Sequence, residues 1–163
     1  MSSSLRRGLV SAAAVATACG AALTLAAPAQ AAPIGAAQCG AKDLNVTARY
    51  NDAGMGKAYW RVEFASNGAT CTLQGTPTDL LFADAKGRAL NLAQETGAPE
   101  AGEAVTVAPG EPAHVLVRTR LEGERLPATK LLLTLPNSED RVETAWPEAI
   151  AGPVGVTEVR TGE

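Results

Sequence analysis

The chain is 163 residues long, 46% hydrophobic, with 14 basic and 17 acidic side chains and a formal charge of −3. That length and apolar content suit one domain with its own core. The acids are scattered and no linear basic stripe occurs, so the sequence lacks the usual footprint for gripping a phosphate backbone, and no nucleic-acid partner is expected.

The first element is an export signal. Arg6 and Arg7 form a positive start, Leu9 to Ala27 carries no charge, and Ala29-Gln30-Ala31 is a small-x-small cleavage site. Residues 1–31 are therefore expected to be a signal peptide cut between Ala31 and Ala32. The rival readings are a membrane anchor, which Pro28 and the alanine-rich composition oppose, and lipid attachment at Cys19. Membrane contact is expected only if the segment is retained or lipidated. Cleavage leaves Ala32–Glu163, 132 residues with 12 basic and 17 acidic side chains, a formal charge of −5. Residues 32–38 form a short lead-in, and 39–163 are expected to fold as one secreted domain.

That mature chain keeps two of the three cysteines, Cys39 and Cys71. An even pair in an exported chain is most simply a disulfide. Zinc would find only two thiolates and His114, too few ligands for a structural site.

Strands follow in order. Asp43–Asn51 alternates, with Leu44, Val46, Ala48 and Tyr50 on one face. Asn51-Asp52-Ala53-Gly54 reads as a turn. Ala58–Ser66 alternates again, with Trp60, Val62 and Phe64 inward and Tyr59, Arg61 and Glu63 outward. Asn67-Gly68 turns the chain into the short Cys71-Thr72-Leu73 run. Asp79–Ala83 is a further strand, and Asp84-Ala85-Lys86-Gly87 a turn before Ala89–Leu92. Gln94–Gly102 reads as a polar loop. Val105 and Val107 restart order, and Ala113–Leu121 alternates with Val115, Val117, Thr119 and Leu121 inward, leaving His114, Leu116, Arg118 and Arg120 outward. Glu122–Pro127 is a loop. Lys130–Leu135, Arg141–Trp146 and Val154–Val159 complete the set. Short strands between Gly, Pro, Asn and Asp turns predict an all-β, antiparallel two-sheet β-sandwich. Its core should include Leu44, Trp60, Val62, Phe64, Leu80, Phe82, Val115, Val117, Leu131 and Leu133. Trp60 is expected near the Cys39–Cys71 bridge, by analogy with sandwiches whose core Trp covers a disulfide.

Over roughly Cys39 to Leu135 the chain resembles the secreted actinobacterial domain-of-unknown-function family with an immunoglobulin-like sandwich. The residues that carry the likeness are Cys39 with Asp43-Leu44, Gly56 to Asn67, Cys71-Thr72-Leu73-Gln74-Gly75-Thr76-Pro77, Asp84-Ala85-Lys86-Gly87 and Ala108-Pro109-Gly110. The resemblance implies an immunoglobulin-like fold, export and the Cys39–Cys71 pairing. It implies no activity, cofactor or metal. Members are often attached to lipid or membrane.

Chemistry is sparse. Ser66, Ser138 and His114 do not make a serine triad by any recognisable motif, and His114, beside outward arginines, is expected to be a solvated surface residue. Turn aspartates Asp52 and Asp84 are explained by backbone hydrogen bonds. No calcium loop is present. Tyr59 and Trp146 are left as candidates for an exposed aromatic contact. The expectation is a secreted, non-catalytic domain that binds a protein or a cell-envelope component, with Gln94–Gly102 and Glu122–Pro127 as candidate binding loops. The alternatives are an extracellular hydrolase, using His114 or an acid pair, and an inhibitor of a secreted peptidase.

Overall fold

A computed structural model describes residues 36–95 and 102–162. The expected signal peptide, its cleavage point at Ala31 and Ala32, Cys19 and positions 96–101 lie outside the described residues. The fold is all-β: an antiparallel β-sandwich with no α-helix among the described residues and one short 3-10 turn, Ala41–Asp43.

The first layer contains β1 (Leu44–Gly54), β2 (Lys57–Ser66) and β6 (Ala113–Arg120). Two short strands, β9 (Gly155–Val156) and β10 (Arg160–Thr161), pair with the other edge of β6. A second sheet runs β4 (Thr78–Ala83), β7 (Lys130–Thr134), β8 (Arg141–Ala145). A ribbon of β3 (Cys71–Gln74) and β5 (Ala104–Val107) touches β2, β6 and β10. Alternation along β2 and β6 drives Trp60, Val62, Phe64, Val115 and Val117 inward against Leu80, Phe82, Leu131 and Leu133. Every one of the ten expected core residues is buried. Fully buried Val and Phe side chains of this kind contribute roughly 1.5–3 kcal/mol each.

Two local expectations are corrected. The first hairpin does not turn at Asn51–Gly54. That segment continues β1 through an irregularity between Tyr50 and Asp52, and the chain reverses at Met55-Gly56, whose φ angles are +53° and +74°. A two-residue hairpin matching strand twist needs positive φ at both positions, and glycine at 56 supplies one of them without strain. Met55 is left fully exposed at the tip. The second correction is Ala89–Leu92, which forms only a bridge from Ala89 to Ala83. It is tied there by the Asp84 turn: the Asp84 carboxylate accepts from the Lys86 and Arg88 amides, both at 2.9 Å, and pairs with the Arg88 guanidinium. The hydrogen bond from the Arg88 amide, then that from its side chain, hold the Asp84 carboxyl below its ordinary pKa.

Cys39 and Cys71 form a disulfide with Cα atoms 4.9 Å apart. It fixes the lead-in to β3, where the Cys39 amide also donates to the Thr72 carbonyl at 2.9 Å. Trp60 and both cysteines belong to the same buried core, and the Trp60 ring packs against Tyr50 and Trp146.

Candidate functional site

The outward side chains of the first layer are set by register. Thr47, Glu63, His114 and Arg160 form one row across β1, β2, β6 and β10. Arg49, Arg61 and Leu116 form the next, and Asp52, Tyr59, Arg118 and Gly155 another. Lys57 and Arg120 pair at the end of β2 and β6. A chain of negative net charge thus gathers Arg49, Lys57, Arg61, Arg118, Arg120 and Arg160 on one sheet face. The basic stripe missing from the linear sequence is assembled by strand pairing.

Acids balance only part of it. Glu95 pairs with Lys57 and with Arg118, both at 3.0 Å. Glu63 lies 3.5 Å from Arg49, and Glu158 lies 3.4 Å from Arg160. Arg61 has no ion pair or side-chain hydrogen bond among the described residues, although it is only 9% exposed. Its Nε, the Nδ1 of His114 and the Nε of Arg118 are buried without hydrogen-bond partners. Buried polar atoms are nearly always partnered, so three orphans on one face set it apart from the rest of the described surface.

His114 is corrected from a solvated residue to a buried one, 7% exposed. It faces outward as expected, but the long side chains beside it shield it. Burial first, and then the Arg61 and Arg160 charges with a smaller push from Arg49, hold its pKa below the ordinary value, against the opposing pull of Glu63. The imidazole is therefore harder to charge in the folded protein than in the unfolded chain. As pH falls through the unfolded-state value of about 6.5, the unfolded chain binds the proton first and stability is lost. Melting temperature should fall between about pH 7.5 and pH 5, and His114→Gln should flatten that slope. An unchanged slope in the variant would show that His114 is not the titrating group.

The two aromatic candidates part ways. Tyr59 is half-buried on the outer face, opposite Arg118. Trp146 is not an exposed contact: it is 4% exposed and lies between the layers, its ring centroid 4.9 Å from both Trp60 and Phe82. Val142, Thr144 and Trp146 are all buried, so the alternation of β8 simply carries one step past its end. Of the two candidate loops, Glu122–Pro127 is anchored. Arg125 donates to the Ala149 carbonyl at 2.6 Å, and Leu126 bridges to Ile150. Most of Gln94–Gly102 lies outside the described residues.

Among the described residues, no group of three or more His, Cys, Asp or Glu side chains is placed to hold a metal ion, and no helix is long and apolar enough to cross a membrane. The residues missed by sequence reading are Arg61 and Arg160. Alternation gives the facing of Arg61, but only the pairing of β2 with β6 and of β6 with β10 brings these charges together. A family model described as Domain of unknown function (DUF4232) matches residues 39–162. No curated protein and no solved structure was found to match the chain.

Proposed function

The chain belongs to the family described as Domain of unknown function (DUF4232), and from that premise we propose that it is an exported, non-catalytic domain that binds a protein or a cell-envelope component through the outer face of β1, β2, β6 and β10. The observation that carries the binding half is the set of buried, unpartnered nitrogens of Arg61, His114 and Arg118 on that face. An unpartnered buried donor costs roughly 1–3 kcal/mol, more when charged, and a ligand that accepts from it recovers that cost. The export half is supported by the charged start, uncharged middle and Ala-Gln-Ala end of residues 1–31, together with the Cys39–Cys71 disulfide, a bond that persists in oxidising compartments.

The test is retention on isolated cell envelope, and on concentrated medium proteins, of material recovered from the producer's culture. Wild type should be retained, and Arg61→Gln should lose roughly tenfold or more in affinity, as expected when a charged hydrogen-bond partner is removed. Intact mass should begin at Ala32 with the two cysteines oxidised. Equal retention of wild type and Arg61→Gln would remove the face from the proposal.

One observation favours a hydrolase instead: His114 offers an unpartnered buried Nδ1 beside Glu63. Hydrolysis of peptide, ester or glycan substrates by wild type, abolished in His114→Ala, would replace the binding reading with that one.

A further inference from the structure

The chemistry of the ligand can be narrowed from how the charges on this face are arranged, an inference that rests on the binding reading above. Arg49 and Arg61 are direct cross-strand partners, and Arg160 and His114 are direct partners two strands away. Arg61 and His114 are diagonal neighbours, because Arg61 pairs with Leu116 and Glu63 with His114. Direct partners have Cβ atoms about 4.5–5.5 Å apart and diagonal neighbours are within reach of long side chains. Like charges directly opposite one another destabilise a sheet. Here an arginine pair of that kind has two acids near it on the face: Glu63, which is spent on Arg49 at 3.5 Å, and Asp52, in the adjoining row opposite Tyr59, which makes no ion pair with either arginine. Glu158 sits on Arg160 at 3.4 Å. Arg61, at the centre and nine-tenths buried, is left without an acid among the described residues.

We infer that this centre binds a phosphate group, with Arg61 as its principal donor and Arg49 and Arg160 as flanking donors. A guanidinium buried without a counter-charge is costly, and an oxyanion seated on it supplies both the charge and the acceptors. The number of cations decides between anions. A planar carboxylate is saturated by one guanidinium fork. Arg49 and Arg160 each hold their acid through one terminal nitrogen, at 3.5 and 3.4 Å, so further donors remain on both beside Arg61, and a tetrahedral group offers more oxygens to engage them than a carboxylate does. His114 lies on the same row as Arg160 and diagonal to Arg61, so its ring senses the charge seated between them. The phosphate has two possible sources, the free ion and a phosphodiester-linked polymer of the envelope.

His114 is the only histidine in the chain, so its imidazole resonance reports on the site without assignment ambiguity. The charged neighbours of that ring are Arg61, Arg160, Arg49 and Glu63. Inorganic phosphate, acetate and a poly(glycerol phosphate) chain are titrated into the oxidised protein while that resonance and the melting temperature are followed. Phosphate should shift the resonance saturably and move its titration to higher pH, since a bound anion offsets the arginine charges. Arg61→Gln and the stem-preserving Arg61→Met should bind at least tenfold more weakly, as should Arg49→Gln. Arg141→Gln, the same charge change on β8, should bind like wild type. Phosphate stabilises proteins generally by exclusion from their surface, so only the difference between Arg61→Met and Arg141→Gln is read as binding. In phosphate-free buffer Arg61→Met should melt no lower than wild type, because it removes an uncompensated buried charge. A marked loss of stability there would mean that Arg61 serves packing. Tighter binding of the polymer than of the free ion identifies the polymer as the source, and the reverse identifies the ion. Absence of saturable phosphate binding, equal binding by Arg61→Met, or acetate binding as tightly as phosphate overturns the inference. If phosphate fails while Arg61→Gln still abolishes envelope retention, the face remains the binding surface and only the ligand chemistry falls.

Discussion

Trp146→Ala is expected to destabilise the domain by about 3–5 kcal/mol, the range for emptying a buried large aromatic site. The indole is buried between the layers, with Trp60 on one side and Phe82 edge-on to it at 81°. Phe82 belongs to β4 and Trp60 to β2, so the ring joins the two sheets. The alanine variant leaves a cavity that β2 and β4 must close, and it forfeits two aromatic pairs worth roughly 0.5–1.5 kcal/mol each. Trp146→Phe separates volume from polarity. The indole Nε1 is buried with no hydrogen-bond partner, so phenylalanine removes an unsatisfied donor while keeping much of the contact. Its cost should be about 1.5 kcal/mol or less. Urea unfolding followed by far-ultraviolet circular dichroism measures both. A loss below about 1 kcal/mol for the alanine variant would mean the ring does not bridge the layers.

Removing the disulfide should have an effect of similar size. Cys39 and Cys71 are 32 positions apart, and closing a loop of that length restricts the unfolded chain by roughly 3.7 kcal/mol in the chain-entropy description. Against a typical total of 5–15 kcal/mol, the double variant Cys39→Ala/Cys71→Ala should melt far below the wild type. Both sulfurs are buried, so a reductant reaches them only when the structure opens. Reduction under native conditions should therefore be slow and should accelerate in step with urea. Rapid reduction of the native protein, or an unchanged melting temperature in the double variant, would contradict this.

Much of the framework is legible in the sequence because period-two alternation reports burial directly. Trp60, Val62 and Phe64 are assigned correctly from β2 alone, and Val115 and Val117 from β6. What alternation omits is where a strand stops. Trp146 follows the last residue of β8 and was therefore open to being read as surface, and Asn51–Gly54 carries turn-forming residues although it lies within β1. Tyr50 shows a related limit. It faces inward onto Trp60, yet is 53% exposed, because alternation gives the side of the sheet but not whether the opposing layer extends that far. The candidate site is hidden for a different reason. Its row runs from Glu63 through His114 to Arg160, three strands distant in sequence, and register between distant strands is fixed by tertiary packing. No local pattern of charge announces it.

The hairpin tip has a practical consequence. Met1 and Met55 are the chain's two methionines, so Met55 is the one that divides the chain into two substantial pieces, and it is wholly exposed. Cyanogen bromide would cut the polypeptide there, between the first two strands. Cys39 lies on one side of the cut and Cys71 on the other, so the two pieces should migrate together until a thiol is added and then separate. A single chemical cleavage thus maps the covalent crosslink without sequencing.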